Sequence, residues 1–439
     1  MILACVIIII TGILVCLSVI FKPTIRIGKF QIGTYWLISL FSAIVILCCR
    51  ILPLDFVWKR MTNPSSVNPF KILVLFFSMT FLSIFLDELG FFQYLANKIV
   101  KQKHNKQIGL FLKLYIVVSL LTIFTSNDII ILTFTPFICC FAKRAKINPL
   151  PFLFGEFFAA NTWSMCLIIG NPTNIYLATS ANISFFEYVK VMAIPTIFAG
   201  ILSVLLLLFI FRKSLKEELG IDIPNEIHLN QPLLIISVIH LVLCIIILAI
   251  SSYLNLEMWY ITLGFALSLI VLVCGYHGIT RTKPRFLKRS CLRLPFELIP
   301  FLLSMFVLVL ALEYTEVTTR LADILNTTNP ILTIGPSSFI ISNLINNIPM
   351  SVLYGAILQP ENFIAQNYIL GIYSAIIGSN IGAYFTPVGA LAGLMWMSIL
   401  KIYDVQISFK KFMKYGLMVA VPTLAIALFS LWIASFIVL

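Results

Sequence analysis

The residues of this chain that could bind a solute or carry a proton are polar side chains set inside long apolar runs. They fall in four short stretches, residues 125–128, 170–174, 345–348 and 378–389, which are rich in amides and hydroxyls. None of the four contains lysine or arginine, and Asp128 is their only carboxylate. Such a set suits a neutral polyhydroxylated solute, a cation held by carbonyl oxygens, or a small anion held by helix N-termini. The candidate solute-binding residues are Ser126, Asn127, Asn171, Thr173, Asn174, Asn346, Asn347, Ser379, Asn380 and Thr386.

Asp128 is the candidate for proton coupling. An ionised aspartate near the middle of a bilayer costs about 2.5–3.5 kcal/mol on insertion scales, so carboxylates at that depth are usually functional. The matching position in the stretch 345–348 is Asn347, so only one of these two stretches can bind and release a proton. We therefore predict that Asp128 couples solute movement to a proton gradient.

Two of the stretches interrupt apolar runs, 151–179 and 368–400, that are otherwise long enough to span a bilayer. Glycine and proline open a helix, and the backbone groups they free need polar partners that lipid cannot supply. Broken helices of this kind, occurring once in each half of a chain, are typical of the binding site of a secondary transporter. The residues that we expect to open the helices are Gly170, Pro172, Gly378, Gly382, Pro387 and Gly389.

The other two stretches each separate a pair of short apolar pieces, at 108–142 and 331–358. The four residues 125–128 include no glycine or proline and make a poor external turn between full spans. We therefore expect two re-entrant hairpins, each with its polar tip inside the membrane. The tips and the helix breaks would then meet at mid-membrane.

The order of span, hairpin and broken helix occurs twice in the chain. Ser78, Met79, Asp87, Leu95 and Ala96 match residues of the second copy at one constant offset of 226 positions. The basic loops put the mouth of the first hairpin inside and that of the second outside, which predicts inverted repeats. The matching residues are Ser304, Met305, Glu313, Leu321 and Ala322.

Composition identifies a polytopic, all-α membrane protein. Of the 439 residues, 60% are hydrophobic and 11% are charged, whereas soluble domains are roughly half apolar. Apolar runs near the roughly 20 residues that cross a bilayer recur along the chain and predict about ten full spans. The cysteines and histidines show no metal-site spacing, and no phosphate-loop sequence is present. We therefore expect no metal, no cofactor and no ATPase activity in this chain.

The net charge of +13 is explained by the loops rather than by a nucleic-acid partner. Six loops on one side carry 23 lysines and arginines, against five in the opposite connections. By the positive-inside rule the basic loops are cytoplasmic, which places both termini outside. We expect a multi-pass protein of the plasma membrane whose partners are the lipid bilayer and a small inorganic or organic solute.

These elements divide the chain into two repeats and a surrounding scaffold. The first repeat is 70–188 and the second is 295–400, and each holds a span, a hairpin and a broken helix. A cytoplasmic linker at 212–231 lies between the halves. The remaining segments, which are predicted to be scaffold helices together with one basic loop, are 1–69, 189–211, 232–294 and 401–439.

The other carboxylates near the spans are predicted to be structural. Glu156 lies near the start of its span, and we expect it to pair with Lys143 or Arg144. Charged residues at span ends commonly reach the membrane surface. The residues assigned to that class are Asp87, Glu88, Glu313 and Glu316.

At its polar stretches the chain resembles the arsenite-efflux permeases, a family in the ion-transporter superfamily that also holds sodium/proton antiporters and citrate-type carriers. The resemblance covers both repeats and is carried by residues 127–136, 170–174 and 346–349, and most specifically by 378–396. It implies an elevator-type fold, in which a transport domain moves against a scaffold. It also implies proton-coupled export of trivalent arsenic or antimony hydroxides, and a homodimer formed through the scaffold.

Several functions remain open from the sequence. The first is proton-coupled export of neutral hydroxides, which could pair with asparagine amides that both donate and accept. The second is sodium- or proton-coupled transport of a small anion such as a di- or tricarboxylate, and a cation/proton antiporter is a further transport alternative. The third, from another class of function, is a membrane scaffold or receptor that moves no solute. Carboxylate carriers have a Ser-Asn-Thr tip on each hairpin, whereas 126–128 reads Ser-Asn-Asp and 345–347 reads Ile-Asn-Asn. Energy would come from a proton or sodium gradient or from a separate ATPase subunit.

Overall fold

The computed structural model describes residues 2–21, 24–27, 30–63, 68–100, 106–218, 229–251, 254–326 and 329–437. Within those residues the chain forms 20 α-helices and one antiparallel pair of short strands, so the predicted all-helical membrane fold is confirmed. The strands β1 (Thr24–Ile27) and β2 (Phe30–Gly33) form a small hairpin before the second span. Residues 219–228 of the predicted linker and 101–105 of a predicted basic loop lie outside the described residues.

Ten helices make up the first half: α1 (Ile2–Phe21), α2 (Thr34–Cys48), α3 (Leu54–Thr62), α4 (Pro69–Glu88), α5 (Phe91–Val100), α6 (Gln107–Phe124), α7 (Asn127–Ala145), α8 (Leu150–Trp163), α9 (Pro172–Ser180) and α10 (Phe185–Ile210). Helices α6 and α7 are the arms of the first hairpin. Helices α8 and α9 are the two pieces of the first broken helix, and a 3-10 turn, Ile168–Gly170, lies between them.

The second half has the same number: α11 (Gln231–Ala249), α12 (Met258–Ile279), α13 (Arg285–Leu292), α14 (Leu298–Tyr314), α15 (Val317–Leu325), α16 (Pro330–Ile345), α17 (Asn347–Ile357), α18 (Ala365–Gly382), α19 (Leu391–Ile402) and α20 (Phe409–Ile437). Helices α16 and α17 form the second hairpin. Helices α18 and α19 form the second broken helix around the 3-10 turn Pro387–Gly389.

Six helices of the described residues, namely α4, α6, α10, α11, α12 and α20, are long and apolar enough to cross a bilayer alone. Helices α14 and α15 meet at 80° and would form a seventh unit as one bent span. Further apolar helices, α1, α2, α16 and α19, are shorter. Since α6 has the length of a full span, the hairpin assignment rests on its two-residue connection to α7.

The first span of repeat 1 is shorter than the apolar run that predicts it. Helix α4 ends at Glu88, and the chain turns at Gly90, whose φ of 82° lies in the left-handed region that glycine adopts without strain. The Gly90 N–H donates to the Asp87 carbonyl oxygen at 2.8 Å. Asp87 and Glu88 therefore occupy the last turn of a helix, and α5 is a separate element.

The same series of elements occurs twice in the structure. Span, short helix, hairpin, broken helix and closing helix correspond to α4 to α10 in the first half and to α14 to α20 in the second. The halves are interleaved, because α7 packs on α19 whereas α17 packs on α9. The second arm of each hairpin is thus packed against the broken helix of the other half.

Two groups of helices pack mainly among themselves. In the first group α2 packs along α14, and α4 packs against α11, α12 and α13. The second group holds both arms of the two hairpins, the broken helices, α10 and α20. Segments 189–211 and 401–439 are predicted to be scaffold helices, yet α10 and α20 pack on each other and on α8 and α18. An apolar span carries no sequence mark of its neighbours, so this grouping is visible only in the structure.

Aromatic side chains fill the second group between α8 and α19. Trp396 is fully buried and packs against Phe154 and Phe157, with ring centroids 5.6 and 5.1 Å apart. Phe158 stacks on Tyr384 at 4.6 Å. Such aromatic pairs contribute about 0.5–1.5 kcal/mol each beyond burial. The cluster therefore fixes the second helix break against the helix that leads into the first.

Candidate functional site

Amide side chains replace the backbone hydrogen bonds that are lost at the first helix break. The Asn174 Nδ2 atom donates to the carbonyl oxygens of Ser164 and Leu167, at 2.8 and 3.2 Å. The Asn171 side chain caps the N-terminus of α9. Gly170 is required because a Cβ atom there would overlap the Ser164 carbonyl oxygen. These carbonyl groups are therefore satisfied inside the protein, as the absence of water in lipid requires.

Asparagines of the second hairpin complete the second break in the same way. Asn343, in α16, donates Nδ2 to the Gly382 carbonyl oxygen at 2.9 Å. Its Oδ1 atom accepts from the backbone N–H and the hydroxyl of Thr386, at 3.0 and 2.6 Å. Asn346, between α16 and α17, donates to the Val388 carbonyl oxygen at 2.9 Å. The hairpin tip and the break of the second half are therefore one hydrogen-bonded unit.

Gly378 does not open its helix, contrary to the prediction. It lies inside α18, which continues to Gly382. A Cβ atom at position 378 would overlap Ser338 Oγ and the Gly335 carbonyl oxygen, both in α16. Gly378 therefore allows α16 and α18 to approach closely. The break itself begins after Gly382.

Asn380 joins the two breaks. Its Oδ1 atom accepts from Asn171 Nδ2 at 2.8 Å and from Ser164 Oγ at 3.2 Å. Its Nδ2 atom donates to Asn174 Oδ1 and to the Ile376 carbonyl oxygen, both at 2.8 Å. The four polar side chains are buried. Residues more than 200 positions apart thus form one polar centre.

The tip of the first hairpin reaches the same centre through α8. Asn127 Nδ2 donates to Asn161 Oδ1 at 3.1 Å. The Asn161 carbonyl oxygen accepts from Ser164 Oγ at 3.1 Å, and that hydroxyl also contacts Asn380. Both tips and both breaks therefore belong to a continuous network, with the second tip joined through the backbone around Gly382.

Both tips are shorter than the sequence indicates. Asn127 and Asp128 form the first turn of α7, so only Thr125 and Ser126 connect the arms of the first hairpin. In the second hairpin the connection is Asn346 alone, whose positive φ of 76° is uncommon for a residue other than glycine. Each second arm therefore begins at the tip and presents its unpaired N–H groups there.

Three of the predicted binding or coupling residues keep polar groups without partners. Ser126 Oγ is buried with no hydrogen-bond partner among the described residues. Within the same part of the chain, neither the Asp128 carboxylate nor the Asn347 amide makes a side-chain hydrogen bond. By contrast, Thr173 and Ser379 contact each other at 3.4 Å inside the network. The site thus combines a bonded frame with open groups at the two tips.

Sequence reasoning missed two asparagines of the network. Asn161 and Asn343 each lie in an apolar helix with no adjacent glycine or proline to mark them. Each precedes a polar residue of the network by three positions, Ser164 and Asn346 respectively. The available signal was therefore a lone amide one helical turn before a break or a tip.

Glu156 does not pair with Lys143 or Arg144. Its carboxylate is buried and accepts from the Thr135 hydroxyl at 2.8 and 3.1 Å. Thr135 lies two turns before the basic residues in α7. Glu156 therefore faces the middle of α7 rather than its charged end.

Asp87 and Glu88 are partners of one arginine rather than free surface charges. Arg293 Nη2 lies 2.7 Å from Asp87 Oδ2, and Nη1 lies 2.7 Å from Glu88 Oε1. The Thr133 hydroxyl, from the second arm of the first hairpin, donates to Asp87 Oδ1 at 2.7 Å. This cluster therefore joins a span, a hairpin and the basic loop before α14.

Two cavities lie along the second arms of the hairpins. The larger, of about 510 Å³, is lined by α4, α5 and α7 from Leu132 onward. The other, of about 310 Å³, is lined by α14, α15 and α17 from Gly355 onward. None of the ten candidate binding residues lines either cavity. The side chains of the polar centre are buried, and these two cavities lie farther along each arm.

Known proteins share both the sequence pattern and the fold. The sequence model of a family described as "Citrate transporter" matches residues 2–362. The chain is 26% identical over 417 residues to the "Arsenical pump membrane protein" of Escherichia coli strain K12, covering 91% of this chain and 93% of that protein. It is 27% identical over 383 residues to a "46 kDa membrane protein" of Mycobacterium leprae, covering 83% and 86%.

Two solved transporter structures resemble this one in fold. The YdaH transporter of Alcanivorax borkumensis has a TM-score of 0.53 at 13% identity, covering 100% of this chain and 97% of that one. MtrF of Neisseria gonorrhoeae, described as illuminating a class of antimetabolite efflux pumps, has a TM-score of 0.51 at 16% identity, covering 99% and 94%. At these identities the likeness concerns the fold alone.

Proposed function

Because this chain belongs to the citrate transporter family, we propose that it is a proton-coupled exporter of arsenite- and antimonite-like neutral hydroxides. The chain is a multi-pass membrane transporter and not an enzyme. We propose the solute, the direction of transport and the coupling ion.

The observation that carries the proposal is the chemistry of the buried polar centre. It consists of buried amides and hydroxyls around one carboxylate, with no lysine or arginine in the tips or breaks. Amides can donate to and accept from the hydroxyls of a neutral solute. A di- or tricarboxylate would be buried there without a cationic partner, at several kcal/mol for each charge. The name of the Escherichia coli relative agrees with the neutral solute.

We assign two roles to the candidate residues. The groups that remain open to a solute are at the tips, on Ser126, Asp128 and Asn347. The other residues hold the breaks and tips in place, because their side chains bond to one another or to freed backbone groups. This frame consists of Asn127, Asn171, Thr173, Asn174, Asn346, Ser379, Asn380 and Thr386.

Asp128 supplies the proton coupling. It lies in the first turn of α7, where the helix N-terminus favours a negative charge, while the low dielectric of a membrane interior favours the neutral acid. The carboxyl group can therefore exist with and without its proton. A proton that enters with each solute expelled would supply about 2.3 kcal/mol per 100 mV of membrane potential.

The packing groups support an elevator-type motion. The hairpins, the broken helices, α10 and α20 would move as one body against the group formed by α2, α4 and α11 to α14. In this arrangement 189–211 and 401–439 belong to the moving body. The basic loops would be cytoplasmic and both termini outside, in the plasma membrane. Dimerisation would use the stationary group, and a separate ATPase subunit would be an optional partner.

The test is metalloid accumulation in a sensitive bacterial host that lacks its own efflux system. We expect the chain to lower the cellular content of arsenite and antimonite and to raise tolerance. Asp128→Asn should abolish both effects at equal expression. Asp323→Asn, at an exposed position in α15, is the matched control and should export like the parent. Unaltered metalloid content, or an Asp128→Asn variant with full export and the same pH dependence, would contradict the proposal.

A second candidate solute is a small anion, which the description of the family favours. Sodium-dependent uptake of labelled citrate into proteoliposomes would support that alternative. A cation/proton antiporter would instead show sodium-induced alkalinisation of an acidic vesicle lumen in the absence of any other solute. Each assay gives a positive result for only one of the three functions.

A further inference from the structure

The larger cavity is built by elements of both halves. Its wall includes Asp87 and Glu88 at the end of α4, Thr133 in α7, and Tyr403 just after α19. Arg293, from the segment that precedes α14, completes the wall. We call this space the Arg293 cavity.

The smaller cavity is built from the counterparts of those elements. Its wall includes Glu313 at the end of α14, Thr319 in α15, Gly355 in α17 and Tyr176 in α9. Arg60, from the short helix α3 that precedes α4, completes the wall. We call this space the Arg60 cavity. Each cavity is thus lined by the end of a span and a hairpin arm from one half of the chain. The other half contributes an arginine and a segment of its broken helix.

The ion pairs repeat this crosswise pattern. Arg293, before the span of the second half, pairs with Asp87 of the first half, and Arg60, before the span of the first half, pairs with Glu313 of the second. Asp87 and Glu313 lie at the constant repeat offset of 226. Arg293 precedes the start of α14 and Glu313 lies near its end, so the two clusters are separated by about 25 Å of helix.

One contact breaks the equivalence of the two cavities. In the Arg293 cavity the Thr133 hydroxyl ties the first hairpin to Asp87 of α4. The corresponding turn of α17 carries Val352 and Leu353, which have no side-chain donor. The cavity with the tie is the larger, at about 510 Å³ against about 310 Å³.

We propose that the two cavities are the inner and outer vestibules of one transport route. Each vestibule is a copy of the same arrangement, built from elements of both halves of the chain. The hydrogen bond between Thr133 and Asp87 holds the inner vestibule open in the resting protein. This rests on the proposed transport function. The Arg293 cavity is the inner one because its arginine ends the most basic loop of the chain. Since α4 and α7 belong to the stationary and moving parts respectively, their bond stabilises one end state of the motion.

The lining of the two cavities combines ion pairs with side chains that can form hydrogen bonds. Asp87 and Glu88 are paired with Arg293, and Glu313 is paired with Arg60. The other polar residues of the walls are mainly hydroxyls and amides, and each wall also holds one further charged residue, Arg144 in the Arg293 cavity and Glu361 in the Arg60 cavity. Such walls offer hydrogen-bond partners to a hydroxylated solute. The wall residues with a hydroxyl or an amide include Gln93, Thr133, Tyr403, Thr318, Thr319 and Gln359.

Two cysteine reporters test the proposal in membrane vesicles. Cys140 is exposed in the wall of the Arg293 cavity, and Thr319→Cys would place a thiol in the wall of the Arg60 cavity. Each reporter is used alone, with the other cysteines replaced by serine or alanine. A membrane-impermeant maleimide is applied to right-side-out and to everted vesicles. We expect Cys140 to react from the cytoplasmic side and the cysteine at 319 from the outside.

The perturbation is Thr133→Val, which removes the tie and keeps the side-chain shape. Loss of one hydrogen bond to a charged group changes a two-state equilibrium by about tenfold. Labelling of Cys140 from the cytoplasmic side should therefore fall by up to about tenfold, and labelling at 319 from the outside should rise. Thr122→Val is the matched control, because its hydroxyl donates only to Val118 of the same helix. Thr133→Ser keeps the donor and should label like the parent.

Equal labelling in Thr133→Val and Thr122→Val would overturn the proposed tie, and faster labelling of Cys140 from the outside would overturn the vestibule assignment. Maleimide labelling needs no solute. If the vesicles label as expected while metalloid content in the host is unaltered, the vestibules stand and the solute is wrong. The reverse pattern would refute the vestibules and leave the proposed solute standing.

Discussion

Asn380→Ala removes the side chain that joins the two helix breaks. Four hydrogen bonds of 3.2 Å or less end on the Asn380 amide, and three of them come from outside its own helix. The substitution leaves the Asn171 Nδ2 donor and the Asn174 Oδ1 acceptor without their best partners in a fully buried centre. We therefore expect a loss of stability and of the geometry that positions both tips.

The size of the loss in stability follows from two contributions, the hydrogen bonds that are removed and the buried polar groups that are left unpaired. Side-chain hydrogen bonds inside membrane proteins contribute about 0.6 kcal/mol each on average. A buried polar group left unpaired costs about 1–3 kcal/mol. Together they predict that Asn380→Ala lowers the free energy of unfolding by about 2–4 kcal/mol. In purified protein of this length this corresponds to a fall in apparent Tm of roughly 2–4 °C.

The assay is thermal unfolding in detergent, with Ser379→Ala as the control. Ser379 neighbours Asn380 in α18, but its hydroxyl bonds mainly to the Ile376 carbonyl oxygen of its own helix, at 2.9 Å. The control should therefore lose less than about 1 kcal/mol. Equal Tm shifts in the two variants would refute the view that Asn380 holds the breaks together.

Two further predictions concern packing and charge. Gly378→Val should force α16 and α18 apart and lower the free energy of unfolding in detergent by about 1–3 kcal/mol. Gly264→Val is the control and should cause no such loss, because a Cβ atom there meets open space. Equal losses in the two variants would contradict the packing role of Gly378. Arg293→Gln leaves two largely buried carboxylates unpaired and should cost about 2–3 kcal/mol, less than a fully buried pair because the arginine is partly exposed. Arg60→Gln breaks a more exposed pair and should cost at most about 1 kcal/mol, so a larger loss there than at Arg293 would be inconsistent with the two environments.

The helix breaks could be predicted from sequence because their residues have few other uses in lipid. Glycine, proline and asparagine together inside an apolar run free backbone groups and supply the amides that satisfy them. Asn171, Asn174 and Asn380 follow from that pattern, and the structure places all three in contact. The all-helical fold follows from the same physics, since only helices or closed barrels satisfy their backbone in a bilayer.

Features that depend on distant neighbours could not be predicted. The sequence cannot tell whether Gly378 opens its own helix or lets another helix approach, because both uses need the missing Cβ atom. Arg293 and Asp87 are more than 200 positions apart, and each alone resembles an interfacial charge. Asn343 has no adjacent glycine or proline to mark it, and its partners lie about 40 positions away in the second break. These contacts are products of tertiary packing. They include the ion pairs that join the two halves, Arg293 with Asp87 and Arg60 with Glu313.

Antimonite flux in proteoliposomes with an imposed pH gradient tests most directly whether a proton on Asp128 drives a neutral hydroxide through these helices. Purified protein is reconstituted with an acidic lumen, and luminal antimony is measured over time by mass spectrometry. We predict accumulation that needs the gradient, that stops when a proton ionophore collapses it, and that is lost in Asp128→Asn. Antimonite entry that is indifferent to the gradient, or gradient-driven entry of citrate in its place, would contradict the account.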